Sequence, residues 1–179
     1  MSNLIGYTAS QIRQDLNNFG GFGQQGDGYN VKYLYTEIGK ILGLEEDPNI
    51  IIIGAGNLGQ ALAKYAAFEK RGFILKGIFD VNPNLEGMTI RDVPIRMMND
   101  LTTFIQDNDV EIAALTLPKD KAIEVANILV ENGVRAIWNF AHTDLNLPDN
   151  VIVENVHLSD SLMQLSYNIS RYNESHNVK

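Results

Sequence analysis

The first 44 residues carry apolar side chains at helical spacing, interrupted by a glycine-rich stretch. A short helix is predicted from Thr8 to Leu16, because Thr8 is a suitable N-cap and apolar positions recur every three to four residues. A second helix is predicted from Asn30 to Leu42, where apolar residues share one face. Between them, residues 20–28 hold too much glycine for a helix and predict an extended loop or a turn.

From residue 49 onward the pattern alternates between strands and helices. Ile50 to Ile53 is a continuous β-branched run, which is typical of a strand covered on both faces. Helices are predicted over about 57–70, 100–106 and 119–131, and strands over 73–79, 93–97, 111–117, 136–140 and 151–153. This alternation predicts the α/β class, with a Rossmann, doubly wound and mainly parallel sheet.

The last predicted element is an amphipathic helix over residues 157–173, and no later element remains to cover its apolar stripe. The stripe consists of Leu158, Leu162, Leu165 and Ile169. The helix either folds back on its own domain or docks on another subunit. With a polar connector ending at Pro48, the chain divides into residues 1–44, a Rossmann domain over 49–156 and this helix.

Composition and charge narrow the class of protein. The chain has 179 residues, no cysteine and a formal net charge of −8. The absence of cysteine excludes disulfides, thiol catalysis and cysteine-ligated zinc. No apolar run approaches the roughly 18 residues of a membrane span, and the first residues lack the features of a secretory signal, so we expect a cytosolic protein without a membrane partner. The acidic balance disfavours nucleic-acid binding by the whole surface, but not by a local contact.

The segment Gly54-Ala55-Gly56-Asn57-Leu58-Gly59 matches G-x-G-x-x-G between a predicted strand and a predicted helix. In such a segment the first glycine (Gly54) allows a tight turn, the second (Gly56) lets the backbone approach a pyrophosphate, and the third (Gly59) lets helix pack on strand. Asp80 ends the next predicted strand, where an acidic residue accepts hydrogen bonds from the adenosine ribose and repels a 2′-phosphate. The motif therefore predicts an NAD(H) site rather than an NADP(H) site.

Two further strand ends face the same crevice if the sheet is doubly wound. Thr116 and Pro118 follow one of these strands, and Asn139, Phe140 and Ala141 follow the other. They are candidates for ribose and nicotinamide contacts, and the alternative is that they cap loops.

Catalytic and metal-binding patterns are missing from the sequence. His142 and His157 stand where pocket residues could stand, yet neither belongs to a recognisable catalytic arrangement. We therefore predict no catalytic residues and no metal site. A cofactor site without substrate machinery indicates a sensor rather than an enzyme.

Taken together, these segments resemble the Rex family of bacterial redox-sensing transcriptional repressors. The resemblance covers Gly6 to about Tyr167 and is far more specific than the glycine motif alone. The matching segments are residues 8–16, 19–20, 26–29, 41–44, 54–59, 61–65, 72–73, 79–81, 116–118, 139–141 and 154–156.

The resemblance implies a homodimer with one NAD(H) per Rossmann domain and a C-terminal helix swapped onto the partner. It implies that NADH releases operator DNA and that NAD+ permits binding. Residues 1–44 then correspond to a partial winged helix, in which residues 8–29 supply the recognition helix and wing. Ser10, Gln11, Arg13 and Gln14 are the DNA-contacting candidates. It also places Tyr65 and His157 near the nicotinamide.

Three departures from the family pattern change the expectation. The two helices that normally precede the recognition helix are missing, and residues 1–30 carry Arg13 against Asp15 and Asp27, which disfavours DNA binding by this segment alone. His157 replaces a family aspartate, so the redox response is expected to become pH-sensitive.

Two alternatives to the complete repressor therefore stay open. One is a truncated paralogue that binds NAD(H) and dimerises, with itself or with a full-length Rex, without gripping DNA. The other is a small NAD- or CoA-binding Rossmann enzyme subunit. CoA is disfavoured because its 3′-phosphate would pair with a basic residue at the position that Asp80 occupies.

Overall fold

The computed structural model describes residues 8–18, 23–24, 28–43 and 47–176, which form two units that divide between Glu46 and Asp47. The described elements of the smaller unit are helix α1 (Ala9–Asn18), the short antiparallel strands β1 (Gly23–Gln24) and β2 (Gly28–Tyr29), and helix α2 (Val31–Ile41). Both helices were predicted from the sequence, and the paired strands lie within the glycine-rich stretch.

Side-chain caps explain where these two helices begin. The Thr8 hydroxyl oxygen accepts a hydrogen bond from the Gln11 N–H at 3.2 Å, and the Gln11 side-chain oxygen accepts one from the Thr8 N–H at 3.0 Å. This reciprocal pair is a capping box, and it confirms the predicted N-cap. At α2, the Asn30 side chain accepts from the Tyr33 N–H at 3.0 Å, so α2 begins one residue later than predicted.

The larger unit is a seven-stranded sheet in the order β5-β6-β4-β3-β7-β8-β9. All neighbouring strands are parallel except the β5–β6 pair. The strands are β3 (Asn49–Ile53), β4 (Ile74–Asp80), β5 (Thr89–Ile90), β6 (Val93–Met97), β7 (Ile112–Leu115), β8 (Ala136–Asn139) and β9 (Ile152–Asn155). The helices are α3 (Asn57–Lys64), α4 (Leu101–Asp107), α5 (Lys119–Glu131) and α6 (Leu158–His176). This is the mainly parallel, doubly wound sheet that the sequence predicted.

Alternation along the strands divides the core into two layers. On one face, Ile51 and Ile53 of β3 pack in a large buried cluster with α4 and α5, which contribute residues such as Leu101 and Leu129. On the other face, Ile50 and Ile52 belong to a smaller cluster, with Ala63 of α3. The β-branched run of β3 is therefore buried on both faces, as predicted for a central parallel strand.

The predicted helix over 57–70 is wrong at its C-terminal end, because α3 stops at Lys64. Eight residues of helix span about 12 Å, close to the roughly 16 Å of the five-residue strand β3 beneath it. Beyond Lys64 the chain turns, and the Tyr65 and Phe68 rings pack edge to face with centroids 4.9 Å apart. Phe68 in turn packs on Trp138 of β8 at 5.6 Å, so aromatic packing ends the helix.

The other differences from the predicted elements are small. The short edge strand β5 was not predicted, and β9 covers 152–155 rather than 151–153. The helix over 119–131 has the predicted bounds, and α6 begins at Leu158 and continues to His176. In the part of the chain that the structure describes, no helix combines the length and hydrophobicity needed to cross a bilayer.

Candidate functional site

The glycine turn between β3 and α3 lies at the carboxyl edge of the sheet, where the strand order reverses between β3 and β7. Gly54 has a φ of 99°, in the left-handed region that favours glycine. A Cβ at this residue would stand 2.8 Å from the Thr116 carbonyl oxygen. The first glycine of the motif therefore serves both the turn geometry and close packing against the chain after β7.

The third glycine of the motif, Gly59, leaves no room for a side chain, whereas the second, Gly56, faces open space. A Cβ at Gly59 would stand 1.8 Å from the Gly54 carbonyl oxygen, whereas a Cβ at Gly56 would meet nothing within 4 Å. As the N-cap of α3, Gly56 provides no side-chain hydrogen bond to the first turn. The first-turn N–H groups and the open space beside Gly56 together suit an anion such as a pyrophosphate.

Asp80, the last residue of β4, holds the turn from the neighbouring strand. One carboxylate oxygen accepts the Ala55 N–H at 2.5 Å, and the other accepts the Asn82 N–H at 2.8 Å. Each carboxylate oxygen has a second lone pair, so the same group retains capacity to accept hydrogen bonds from a ribose. The structure thus brings Asp80 to the glycine turn, as the sequence motif requires.

Thr116 fixes the other side of the turn. Its hydroxyl lies 2.7 Å from the Gly54 carbonyl oxygen and 3.1 Å from that of Ile53, and the hydroxyl hydrogen is donated to these acceptors. Toward a ligand, the hydroxyl oxygen therefore acts as an acceptor. Pro118, which follows it, is the N-cap of α5. The predicted residues after β7 thus lie beside the glycine turn, with Thr116 also bracing it.

Asn139, at the end of β8, is 2% exposed and its hydrogen bonds are internal. Its amide nitrogen donates to the Thr143 carbonyl oxygen at 2.9 Å and to the Asn155 side-chain oxygen at 2.7 Å. Its amide oxygen accepts the Ala141 N–H at 3.0 Å. The predicted direct contact between Asn139 and a cofactor therefore has little free surface, and the side chain instead orders the loop after β8.

That loop brings together two histidines that the sequence did not pair. The Nδ1 atoms of His142 and His157 lie 2.8 Å apart. His142 follows β8 and His157 follows the adjacent strand β9, so both leave the same edge of the sheet. The sequence shows that each histidine follows a predicted strand, and the carboxyl ends of neighbouring parallel strands lie at the same sheet edge. Pairing the two histidines required knowledge that β8 and β9 are neighbours.

Of the other predicted cofactor residues, Phe140 and Ala141 are buried, with 8% and 6% of their surface exposed. Tyr65 lies away from the glycine turn. It is the C-cap of α3, nine residues after Gly56 and therefore about 13 Å along the helix from it. Its ring packs on Phe68. A contact between Tyr65 and the nicotinamide within one chain is therefore not favoured by this position.

The DNA-contacting candidates lie on α1. Ser10, Gln11 and Gln14 are exposed, and the side-chain oxygen of Gln11 is engaged by the capping box. The side chain of Arg13 lies outside the described part of the structure. The helix thus presents short polar groups, which suit hydrogen bonds to base edges and phosphates.

A parallel sheet with a phosphate-binding glycine turn, an acidic residue ending the second strand and a crevice at the reversal of strand order defines a Rossmann nucleotide-binding protein. Consistent with this class, residues 45–143 match the family model described as the CoA binding domain. The chain belongs, more narrowly, to the Rex family of redox-sensing transcriptional repressors.

Membership of this family follows from close relatives over nearly the whole chain. The redox-sensing transcriptional repressor Rex of Clostridium novyi is 60% identical over 97% of this chain and 82% of the relative. The Clostridioides difficile protein of the same name is 56% identical over 93% of this chain and 80% of its own.

Solved structures agree with this assignment. A Rex-type repressor, RSP, in complex with NAD+ and operator DNA is 59% identical, with a TM-score of 0.88 over 97% of this chain and 79% of that one. The same repressor with NADH is aligned at 54% identity and a TM-score of 0.88, over 99% of this chain and 83% of that one.

Substitutions at the second and third glycines should differ in their effect on stability. We expect Gly59→Ala to lower the free energy of unfolding by more than about 2 kcal/mol, because a backbone oxygen occupies the place of the new methyl group. Gly56→Ala should stay within about 0.5 kcal/mol of the parent, because its φ of −70° suits alanine and its surroundings are open. Urea unfolding followed by circular dichroism measures both, and equal losses would contradict the assigned packing role of Gly59.

Proposed function

We propose that the protein is an NADH/NAD+-responsive transcriptional repressor whose affinity for operator DNA is switched by dinucleotide binding. The observation that carries this proposal is the glycine turn, where Gly56 leaves open space at the start of α3 and the Asp80 carboxylate lies beside the turn. The solved repressor complexes with NAD+ and DNA, and with NADH, support it. The protein acts as a regulator rather than an enzyme, and works in the cytoplasm, where operator DNA is.

In this proposal the adenosine ribose hydroxyls donate to Asp80, and the pyrophosphate lies over Gly56, Asn57 and Leu58 at the start of α3. The negative Asp80 opposes a 2′-phosphate, so NAD(H) binds in preference to NADP(H). The same charge opposes the 3′-phosphate of CoA, although the matching domain family is named for CoA. Thr116, Pro118, Phe140, Ala141 and His157 lie along the edge on which the nicotinamide half would rest.

Dimerisation is the second part of the proposal, and it rests on two uncovered apolar surfaces. The first is on the sheet, where Ile50, Ile112, Trp138 and Ile152 line a groove of about 320 Å³. Ile152 is 71% exposed there. On this face, α3 packs over β3 and leaves the edge strand β9 uncovered. The opposite face of the same strands is closed by α4 and α5.

The second uncovered surface is the apolar stripe of α6. Leu158, Leu162, Leu165 and Ile169 are each more than half exposed along this helix. Burial of about 25 cal/mol per Å² of apolar surface favours their contact with another apolar surface. We therefore infer a homodimer in which α6 of one copy covers the open sheet face of its partner. Dimerisation with a longer Rex protein would use the same two surfaces.

Calorimetric titration with NADH, NAD+, NADPH and CoA tests the cofactor assignment. We expect NADH to bind, with NAD+ weaker and NADPH and CoA negligible. Asp80→Asn should weaken NADH binding about tenfold and reduce the preference over NADPH, since a charged acceptor for the ribose is lost. Asp149→Asn, at an exposed site on another loop, is the matched control. Preference for CoA, or no dinucleotide binding, would overturn the redox-sensor assignment.

Binding to DNA tests the regulatory half of the proposal. The operator duplex recognised by the solved Rex repressor serves as the probe, in a fluorescence anisotropy assay at fixed salt. We expect binding with NAD+, release by NADH, and weaker binding for Arg13→Gln, which removes a cation from α1. Retention of NADH binding without any DNA binding would instead support the alternative of a dimerising paralogue that does not grip DNA.

A charge placed in the apolar stripe of α6 tests the dimer. We expect Leu165→Glu to convert a dimer into a monomer in sedimentation equilibrium, because a carboxylate would have to be buried at the interface. Gln164→Glu introduces the same new charge one position away, on a different face of the helix, and should leave the dimer intact. A monomeric parent protein, or equal behaviour of the two variants, would argue against α6 as the interface.

A further inference from the structure

The pair formed by His142 and His157 lies at the sheet edge assigned above to the nicotinamide half, and its geometry points to a second ligand there. The two Nδ1 atoms are 2.8 Å apart and the ring centroids 4.8 Å apart, so the Nδ1 atoms lie on the facing edges of the rings. Both residues are exposed, so solvent and small ions reach them. Within the described residues, this contact is the one hydrogen bond that either imidazole makes.

The buried residue Asn139 holds the two chain segments that carry the histidines. The Asn139 side chain bonds Ala141 and Thr143, the residues on either side of His142. It also bonds the Asn155 side chain, and its backbone carbonyl accepts the Val156 N–H at 2.8 Å, next to His157. One side chain that is 2% exposed therefore braces both chain segments that carry the rings.

The backbone of His142 adds a second sign of a built arrangement. Its φ of 48° lies in the left-handed region, which a residue with a side chain adopts at an energetic cost. The hydrogen bonds from Asn139 on both sides hold this conformation. As a result, the His142 ring leaves the loop toward His157.

Two imidazole nitrogens this close share one proton, and at a slightly wider separation they can share one metal ion. Zn²⁺ binds imidazole nitrogen at 2.0–2.1 Å, so two such ligands at a tetrahedral angle stand about 3.3 Å apart. The observed 2.8 Å requires the exposed rings to separate by about half an ångström. Imidazole is a preferred ligand for divalent transition metals, and the chain contains no cysteine that would compete for them.

We propose that His142 and His157 form a two-histidine site for a divalent transition-metal ion such as Zn²⁺, bound through their Nδ1 atoms. Among the described residues, no third histidine or carboxylate stands in position to join them, so water fills the remaining coordination positions. The ion links the loop after β8 to the residue that precedes α6. Metal binding therefore fastens the start of α6 to the sheet edge.

Zn²⁺ titration of the untagged full-length chain, in the absence of dinucleotide, tests the site by calorimetry and thermal melting. We expect one Zn²⁺ per chain and a rise in melting temperature. His142→Asn and His157→Asn should each weaken binding at least about tenfold, and the double variant should lose it. His176→Asn removes the remaining histidine, which stacks on Tyr172 near the end of α6, and should bind Zn²⁺ like the parent.

The outcomes of this experiment distinguish a built site from non-specific binding. Circular dichroism of each variant establishes that these exposed substitutions leave the fold intact. If the parent binds no Zn²⁺, or if the double variant binds it as the parent does, the site is overturned. Because the titration contains no dinucleotide, its result is independent of the proposed redox function.

Discussion

The contact between Gly54 and Gly59 is the constraint on which the rest of the site depends. A helix starts within one turn of a buried strand and approaches it so closely that no side-chain carbon fits between them. The neighbouring strands maintain this approach, with the Asp80 carboxylate on Ala55 and the Thr116 hydroxyl on Gly54. The first turn of α3 is thereby held at the crevice with open space at Gly56, which is where a phosphate group fits.

The sheet is asymmetric in how it is covered, and this asymmetry connects the fold to assembly. Two helices close one face over a large buried cluster, whereas the other face leaves Ile152 exposed. The C-terminal helix α6 carries an apolar stripe that could cover this face, and the stripe is exposed. In the proposed homodimer, a second copy covers both surfaces at once. The edge that carries the dinucleotide site and the start of α6 then belong to one continuous assembly, which is the arrangement a ligand-driven switch requires.

Asn139 is a buried polar residue that positions two exposed side chains, His142 and His157. A buried amide is costly unless its groups are paired, and here the nitrogen and the oxygen find three partners in two chain segments, the loop after β8 and the end of β9. The resulting rigidity places His142 and His157 beside each other at the end of adjacent strands. The hydrogen bonds of one buried side chain therefore determine the geometry of an exposed pair of histidines.

The sequence by itself determined the local elements and the cofactor motif, because helical periodicity, the β-branched run of β3 and the glycine spacing are properties of adjacent residues. It could therefore predict the sheet class, the bounds of α5 and the association of Asp80 with the glycine turn. It placed the end of α3 six residues too late, since packing of Phe68 on Trp138, 70 residues away, stops the helix. Only the tertiary structure decided that Asn139 is buried, that Tyr65 lies away from the turn and that two histidines meet. Those outcomes depend on strand order and on which face of the sheet is covered, and neither is encoded in the spacing of neighbouring residues.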